Sequence, residues 1–215
     1  MLFDLGEMDF NRCYDLITGV VVPRPVFIIT TLGENGVVNA APFSFCNIVC
    51  PFPPILGLAV GRRGGRKKDT EVNIGRRGQF VVNLADERLA GKLMITAIDF
   101  PPEISEVEAS GLTAAPSARV AVPRIAESPA ALECTLYRQE EIGRGENVYG
   151  FIMGEVLAVH LRDDLWSEGR VDSVGMKPLG RLAGEYFLKA GDNFKMQSVS
   201  LEEWRSRGAV SDGQA

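Results

Sequence analysis

The stretch that decides the fold is Asn39-Ala-Ala-Pro-Phe-Ser-Phe-Cys-Asn47, which leads through a proline corner at 51–54 into an apolar segment at 55–60. The first segment has the composition of a strand, but Pro42 removes a backbone donor near its centre. A proline inside a strand places that strand at a sheet edge or at a bulge. Because an interrupted ladder leaves backbone groups without partners, we expect a ligand to bind beside this strand.

A basic loop, residues 61–68, follows the apolar segment. It holds five of the chain's 23 lysine and arginine residues: Arg62, Arg63, Arg66, Lys67 and Lys68. In an acidic protein, such a local positive site favours a small anion over a long polyanion. The alternative is an ordinary solvated loop. No Gly-Lys-Ser/Thr sequence follows the glycines of this loop, which excludes a P-loop.

Asp69 and Thr70 open a predicted helix that Gly78 ends. A helix N-terminus offers unpaired amides and the positive end of the helix dipole, and both suit a phosphate group. We predict that Lys67 or Lys68 supplies charge to a phosphate and that Thr70 supplies a hydroxyl. Asp69 is expected to cap the helix or to orient a lysine, since a carboxylate facing the phosphate would repel it. The alternative is a plain helix cap beside exposed lysines.

Composition limits the class of protein. At 215 residues with 46% hydrophobic residues, the chain is long enough for one domain with a single core. The net charge of −5 argues against a nucleic-acid partner. No apolar run reaches the length of a membrane span, and the N-terminus lacks a signal-peptide pattern, so we expect a cytoplasmic protein. The scattered cysteines and the single histidine form no zinc signature.

Hydrophobic alternation and turn residues predict about six strands, at residues 26–32, 37–45, 55–60, 79–84, 131–140 and 148–161. Many strands with only short helices favour a mainly β, antiparallel barrel over a doubly wound parallel sheet. We expect one domain over residues 1–190. Residues 191–215 form a C-terminal extension with a capping box at Ser200-Leu-Glu-Glu203 and a disordered end at 211–215.

A series of short motifs resembles the flavin reductase-like, FMN-binding split-barrel family. The motifs are Pro23-Arg-Pro-Val26, the stretch 39–47, Lys68-Asp-Thr70, Phe80-Val-Val-Asn83, Gly154-Glu-Val156 and Leu179-Gly-Arg-Leu-Ala-Gly-Glu-Tyr186. The resemblance implies a Greek-key-like split β-barrel with short peripheral helices that dimerises and binds FMN near the subunit interface. It also implies reduction of the flavin by NADH or NADPH. In such proteins the reduced flavin passes to a monooxygenase component or acts on an acceptor. FAD remains an alternative to FMN.

The flavin ring needs hydrogen-bond donors along its pyrimidine edge and near N5. The candidates are the Ser44 hydroxyl, Asn47, Asn83 and the backbone of Pro42, Phe43 and Phe45. Because side chains alternate along a strand, Phe43 and Phe45 share the face opposite Ser44. We therefore favour backbone contacts together with the Ser44 hydroxyl.

Three further side chains are site candidates by the family pattern. His160 and Asn47 are the candidate catalytic residues, with His160 contacting the nicotinamide or the flavin at the rim of the site; the alternative for His160 is a structural role. Arg181 is expected to reach the cofactor from either subunit. Cys46 and Cys50 stand where the family often has an aromatic residue and a serine.

Two other functions are also compatible with the sequence. One is an FMN-binding electron-transfer, carrier or sensor protein that has no reductase activity. The other is an oxidase of the pyridoxamine-phosphate type on a similar barrel. Hydride transfer between two cofactors needs little acid–base help, so the absence of a Ser/His/Asp set is compatible with the reductase.

Overall fold

The structure is a computed structural model that describes residues 1–62 and 64–206. Arg63 and the predicted disordered end at 211–215 lie outside the described residues. The α-helices are α1 (Phe10–Val20), α2 (Asp69–Arg77), α3 (Ala90–Ile95), α4 (Glu106–Ala109) and α5 (Leu201–Ser206). The strands are β1 (Arg24–Pro25), β2 (Phe27–Leu32), β3 (Val38–Phe43), β4 (Cys46–Pro51), β5 (Pro54–Gly61), β6 (Gln79–Leu84), β7 (Ala114–Ala115), β8 (Arg124–Ile125), β9 (Ala130–Arg144), β10 (Asn147–Leu161), β11 (Trp166–Ser167), β12 (Arg170–Val171), β13 (Leu179–Arg181) and β14 (Phe187–Lys189).

Seven strands form one antiparallel sheet in the order β3-β2-β6-β9-β10-β5-β4. The two edge strands, β3 and β4, are joined only by Ser44 and Phe45. A link this short forces the sheet to curl until its edges meet, because two residues span no more than about 7 Å. The Ala59 amide donates to the Phe45 carbonyl at 2.8 Å, which ties this link to β5. The predicted mainly β, antiparallel fold with short helices is confirmed.

The predicted strand over 37–45 ends two residues early, and the stretch 39–47 is not one strand. Its first part lies in β3 at one sheet edge, whereas Cys46 and Asn47 begin β4 at the other edge. The interruption expected from Pro42 therefore falls at Ser44 and Phe45, where the chain crosses from one edge to the other.

The barrel interior is filled by large apolar side chains from facing strands. Ile29, Leu58, Phe80 and Ile152 are all fully or almost fully buried there. Gly154 of β10 is required at this point, since a Cβ on it would overlap the Phe80 ring. A second apolar cluster packs α3 and α4 against the outer side of β2 and β3.

Two of the four cysteines belong to the barrel core. Cys46 and Cys134 are buried, and burial raises the pKa of the Cys46 thiol to about 12. Both therefore behave as small apolar side chains at neutral pH, whereas Cys13 and Cys50 are partly exposed.

The predicted capping box at the last helix is present. The Glu203 amide donates to Ser200 Oγ at 3.1 Å, and the Ser200 amide donates to Glu203 Oε2 at 2.8 Å. Among the described residues, no helix combines the length and the apolar character that a membrane crossing requires.

Candidate functional site

A cavity of about 590 Å³ opens between β3, the N-terminus of α2 and the segment after α3. It is lined by Asn39, Ala41, Pro42, Arg66, Lys67, Lys68, Asp69, Thr70, Glu106 and residues 96–102. We call it the helix cavity. The predicted phosphate residues thus surround one space, together with a Thr96–Pro102 segment that we did not identify as part of the site from the sequence.

The start of α2 differs from the prediction in one respect. Lys68 is the N-cap residue and makes no side-chain capping hydrogen bond, so Asp69 is the first helical residue and the capping role expected for it is wrong. The amides of the first turn have no acceptors within the helix. An α2 N-terminus without a capping side chain leaves these donors available to the cavity.

Thr70 is held firmly at the cavity wall. Its side chain is buried, and its Oγ1 accepts a hydrogen bond from Asn39 Nδ2 at 3.3 Å. The same Asn39 nitrogen donates to Thr31 Oγ1 at 3.1 Å. Asn39 therefore connects β3 to the first turn of α2, and this role was not predicted although Asn39 opens the decisive stretch.

Two cations of the basic loop are already neutralised within the chain. Arg62 NH2 lies 3.1 Å from Glu71 Oε1 and also pairs with Glu141, while Lys67 Nζ lies 3.3 Å from each of the same two carboxylates. These hydrogen bonds from Arg62 and Lys67 hold the pKa of Glu141 below its ordinary value. We call Arg62, Lys67, Glu71 and Glu141 the carboxylate clasp.

The carboxylate clasp changes the role that was predicted for Lys67. Glu71 is fully buried, so it fixes the ammonium group of Lys67 and the guanidinium of Arg62 against α2. Lys67 contributes to the cavity wall, but its charge is shared with Glu71 and Glu141. Arg66 and Lys68 are the other loop cations that line the helix cavity.

The helix cavity contains carboxylates, of which Asp69 was expected from the sequence and Asp99 and Glu106 were not. Burial raises the pKa of Asp69, and the nearby charge of Asp99 raises it further. Burial likewise raises the pKa of Glu106, against the hydrogen bond that its Oε2 accepts from the Ala40 amide at 2.9 Å. The cavity therefore offers cations and first-turn amides together with strong acceptors for hydroxyl groups.

A smaller cavity of about 170 Å³ shares Pro42 and Lys68 with the helix cavity. We call it the strand-break cavity, and its other lining residues are Tyr14, Phe43, Ser44, Phe45, Ala59, Gly61 and Tyr149. Through Pro42 and Lys68 it brings the break between β3 and β4 next to the start of α2.

The two phenylalanines of the strand break have different surroundings. Phe43 is buried in the barrel core, with Lys68 Nζ 5.6 Å from its ring centroid. Phe45 stacks on Tyr149 with ring centroids 6.2 Å apart, and the Tyr14 ring centroid lies 6.4 Å from the Phe45 ring centroid. The strand alternation from which a common face was predicted does not extend to Phe45, because the chain bends at Ser44; both rings nevertheless line the strand-break cavity.

Ser44 and Asn47 border a third cavity of about 390 Å³, on the side of α1. Ser44 Oγ accepts a hydrogen bond from Arg24 Nε at 3.4 Å. The buried Arg24 also donates to the carbonyls of Thr18, Val21 and Leu182, so it joins α1 to the C-terminal segment. Asn47 Oδ1 accepts from the neighbouring Ile48 amide at 2.8 Å.

Asn83 does not reach any of these three cavities. It is fully buried, its Nδ2 donates to the Ile28 carbonyl at 2.9 Å, and its Oδ1 accepts from the Ile125 amide at 2.8 Å. The predicted flavin contact of Asn83 is incompatible with this position, because the amide is used inside the protein.

His160 and Arg181 also lie outside the three cavities. His160 Nε2 contacts Glu133 Oε1 at the far end of β10. Arg181 pairs in register with Arg24, and its guanidinium lies 4.4 Å from the Phe187 ring centroid. Within this chain, neither is placed to touch a ligand in the helix or strand-break cavity.

Comparison with known proteins identifies the family. The family model for a flavin reductase-like domain matches residues 20–175. The chain belongs to the flavin reductase-like family. An uncharacterized relative from Halalkalibacterium halodurans is 41% identical over 195 residues, which cover 89% of this chain and 93% of the relative.

Two crystal structures share the flavin reductase-like fold over nearly the whole chain. Nitrilotriacetate monooxygenase component B from Bacillus cereus is 34% identical with a TM-score of 0.88, covering 91% of this chain and 98% of that one. The Pseudomonas fluorescens 2-nitrobenzoate 2-nitroreductase is 35% identical with a TM-score of 0.85, and the match covers 94% of this chain and 98% of that one. The predicted split-barrel family is confirmed, and the family supports a flavin-related oxidoreductase.

Proposed function

We propose that the chain binds FMN across the helix and strand-break cavities and reduces it with NADH or NADPH. The observation that carries this proposal is the pair of shared lining residues, Pro42 and Lys68, which make the two cavities neighbours. One space presents helix-terminal amides and cations, and the other presents the backbone of the broken strand. A flavin nucleotide has a phosphate at one end and a flat ring with a polar edge at the other.

The residues present fit such a group. The uncapped first turn of α2, Lys68 and Arg66 would hold the phosphate, since the amides there have no acceptor within the helix. The carboxylates of Asp69 and Asp99 would accept hydrogen bonds from the ribityl hydroxyls. The backbone from Pro42 to Phe45 would contact the ring edge. When bound, the flavin accepts a hydride from the nicotinamide, and the protein supplies position and charge.

We also propose that the working form is a cytoplasmic homodimer and that residues 1–190 form the flavin-binding unit. Support for a partner copy comes from the edge strand β4 and the turn after it. Ile48, Val49 and Phe52 are 69%, 53% and 90% exposed there, beside the cavity that Ser44 and Asn47 line. Apolar side chains along an unpaired strand edge are typical of an interface. A partner copy is also the route by which Arg181 or His160 would approach a flavin.

An anaerobic titration tests the reductase. Purified protein is expected to be yellow, or to become so with added FMN. One equivalent of NADH or NADPH per flavin should bleach this visible absorbance. A colourless protein that fails to bind added FMN would remove the proposal. Comparing the two nicotinamides also determines which one serves as the donor.

A carrier or electron-transfer protein is the second candidate. It is favoured by the positions of Asn83 and His160, because neither side chain faces the flavin cavities from within the chain. In that case FMN would stay bound while neither nicotinamide reduced it at a useful rate. A monooxygenase component as acceptor is a further proposal, based on the name of the Bacillus cereus protein.

A further inference from the structure

A cavity of about 550 Å³ lies outside the flavin site, where β9 begins and β10 ends. Its polar lining includes Arg88, Arg124, Arg162 and His160, with Glu127 and Asp163 on its wall. We call it the arginine pocket. Its volume falls within the range of small-molecule sites, which extends from about 300 to 1,000 Å³.

The three arginines come from separate parts of the chain. Arg88 lies in the short turn after β6, Arg124 lies in β8, and Arg162 directly follows β10. The pairing of Leu161 in β10 with Ala130 in β9 fixes the position of Arg162, the next residue along the chain. The Arg162 amide continues the pairing by donating to the Pro129 carbonyl at 3.0 Å. The pocket is therefore built on regular structure.

Two carboxylates near the pocket already have partners. Asp86 accepts hydrogen bonds from the amides of Arg88 and Leu89 and from Arg88 Nε, the last at 2.6 Å. Asp164 accepts from Nε and NH2 of Arg162, the latter at 3.1 Å. The remaining nitrogen of Arg162, NH1, is 4.0 Å from Asp86 Oδ2, beyond hydrogen-bond distance.

Glu127 and Glu133, the other acidic residues near the pocket, also accept hydrogen bonds from within the protein. Glu127 accepts from the amide and the hydroxyl of Thr113 at 3.1 and 3.0 Å. Glu133, behind His160, accepts from the amides of residues 118–120 as well as contacting the imidazole. Asp163, on the wall, is the remaining carboxylate of the lining.

Three guanidinium nitrogens are buried with no acceptor among the described residues, and one of them, Arg62 Nε, belongs to the carboxylate clasp. The other two are Arg162 NH1 and Arg124 Nε, and both of these arginines line the arginine pocket. Within residues 1–62 and 64–206, no carboxylate forms an ion pair with Arg124. A buried donor of a charged group without an acceptor is costly, so such atoms usually have a partner that is a water molecule, an ion or a ligand.

We propose that the arginine pocket is a second ligand site, which binds a small organic anion through a carboxylate or phosphate group. Guanidinium forks match the paired oxygens of both groups, and arginine keeps its charge at any physiological pH. Arg124 Nε and Arg162 NH1 supply the donors that lack an acceptor, while Arg88 and Arg162 share their charge with Asp86 and Asp164. This site is separate from the flavin cavities of the same subunit, because it shares no lining residue with the helix or strand-break cavity.

The test is a calorimetric titration of FMN-saturated protein with sodium phosphate and, separately, with sodium succinate at constant ionic strength. Saturation with FMN keeps both probes out of the flavin phosphate site. Wild-type protein should bind at least one probe with a defined stoichiometry. Arg124→Gln should raise the dissociation constant of that probe at least tenfold, while Arg138→Gln, an exposed arginine paired with Glu140, should leave it unchanged.

Arg162→Gln provides a second variant and should weaken the same probe. The probe that binds determines the ligand class. If phosphate binds and succinate does not, the natural ligand is a phosphate ester; if succinate binds and phosphate does not, it is a carboxylate. Wild-type protein that binds neither probe would overturn the proposal. Equal binding by wild type, Arg124→Gln and Arg162→Gln would overturn it as well.

Discussion

The basic loop and the arginine pocket are opposite cases of positive charge in one protein. The loop concentrates its cations in a few consecutive residues, yet Arg62 and Lys67 are paired with Glu71 and Glu141. The pocket collects arginines that are far apart in the chain; Arg88 and Arg162 pair with Asp86 and Asp164, whereas Arg124 has a buried Nε without an acceptor among the described residues. Density of charge along the chain is therefore a poor guide to where charge is available to a ligand. The carboxylates that fold against each cation decide that.

Removing the buried acceptor of the clasp should have the largest effect on stability. In Glu71→Leu, Arg62, Lys67 and Gln139 lose the carboxylate oxygen that all three contact. We expect the free energy of unfolding to fall by about 3 kcal/mol, the lower end of the range for breaking a buried pair. Urea unfolding at pH 7 measures this loss.

Glu140→Gln is the matched control, since Glu140 pairs with Arg138 at the protein surface and both residues lie in β9. It should change stability by well under 1 kcal/mol, as is usual for exposed pairs. A loss of the same size in both variants would mean that the clasp is no more than an ordinary surface ion pair.

Glu133, which lies behind His160 of the arginine pocket, gives a pH-dependent prediction. Burial would raise the pKa of Glu133, but hydrogen bonds from the Ala118 amide, His160 and the amides of Arg119 and Val120 outweigh it and hold the pKa below its ordinary value. A lowered pKa means that the folded state favours the charged carboxylate. This stabilisation is present above the unfolded pKa of about 4.3 and is lost as the pH falls through the folded value.

Glu133→Gln should therefore lower the free energy of unfolding at pH 7 by about 1.5–3 kcal/mol. Urea unfolding between pH 7 and pH 3 should show a smaller loss on acidification in this variant than in wild type. Glu140→Gln should retain the wild-type slope. Parallel pH profiles for wild type and Glu133→Gln would show that Glu133 is not the group that titrates.

A steric substitution probes the clasp with a smaller effect. A Cβ on Gly150 would lie 2.6 Å from Glu71 Cδ, so Gly150→Ala should push the buried carboxylate away from Arg62 and Lys67. We expect a loss of about 1–2 kcal/mol, within the usual range for overpacking. Gly91→Ala in α3, where a Cβ meets nothing within 4 Å, should leave stability equal or higher because alanine favours a helix. Similar losses in both variants would contradict the tight contact at Gly150.

Elements governed by local signals could be predicted from the sequence. β6 spans Gln79–Leu84 as expected, and α2 ends where Gly78 adopts a left-handed φ of 67°. Both follow from neighbouring residues alone, through hydrophobic alternation in the first case and the freedom of glycine in the second. The family motifs likewise lie close together in sequence.

Features that depend on distant partners could not be predicted in this way. Ser44 and Phe45 look like part of a strand, but closure of the barrel makes them the link between two sheet edges. Asn83 and His160 look like site residues until Ile125 and Glu133, far from them in the chain, take up their polar atoms. The acidic wall of the helix cavity arises for the same reason, because Asp99 and Glu106 fold against the basic loop from beyond α3.

The central claim is that Lys68 and the first turn of α2 bind the phosphate of FMN. Fluorescence titration with FMN and with riboflavin, which has no phosphate, tests it directly in wild type, Lys68→Ala and the exposed control Lys177→Ala. Lys68→Ala should weaken FMN binding by roughly 1.5–3 kcal/mol, about ten- to 150-fold, and leave riboflavin binding unchanged. The control should match wild type. Equal affinity of wild type for FMN and riboflavin, or equal losses for both ligands in Lys68→Ala, would contradict the account.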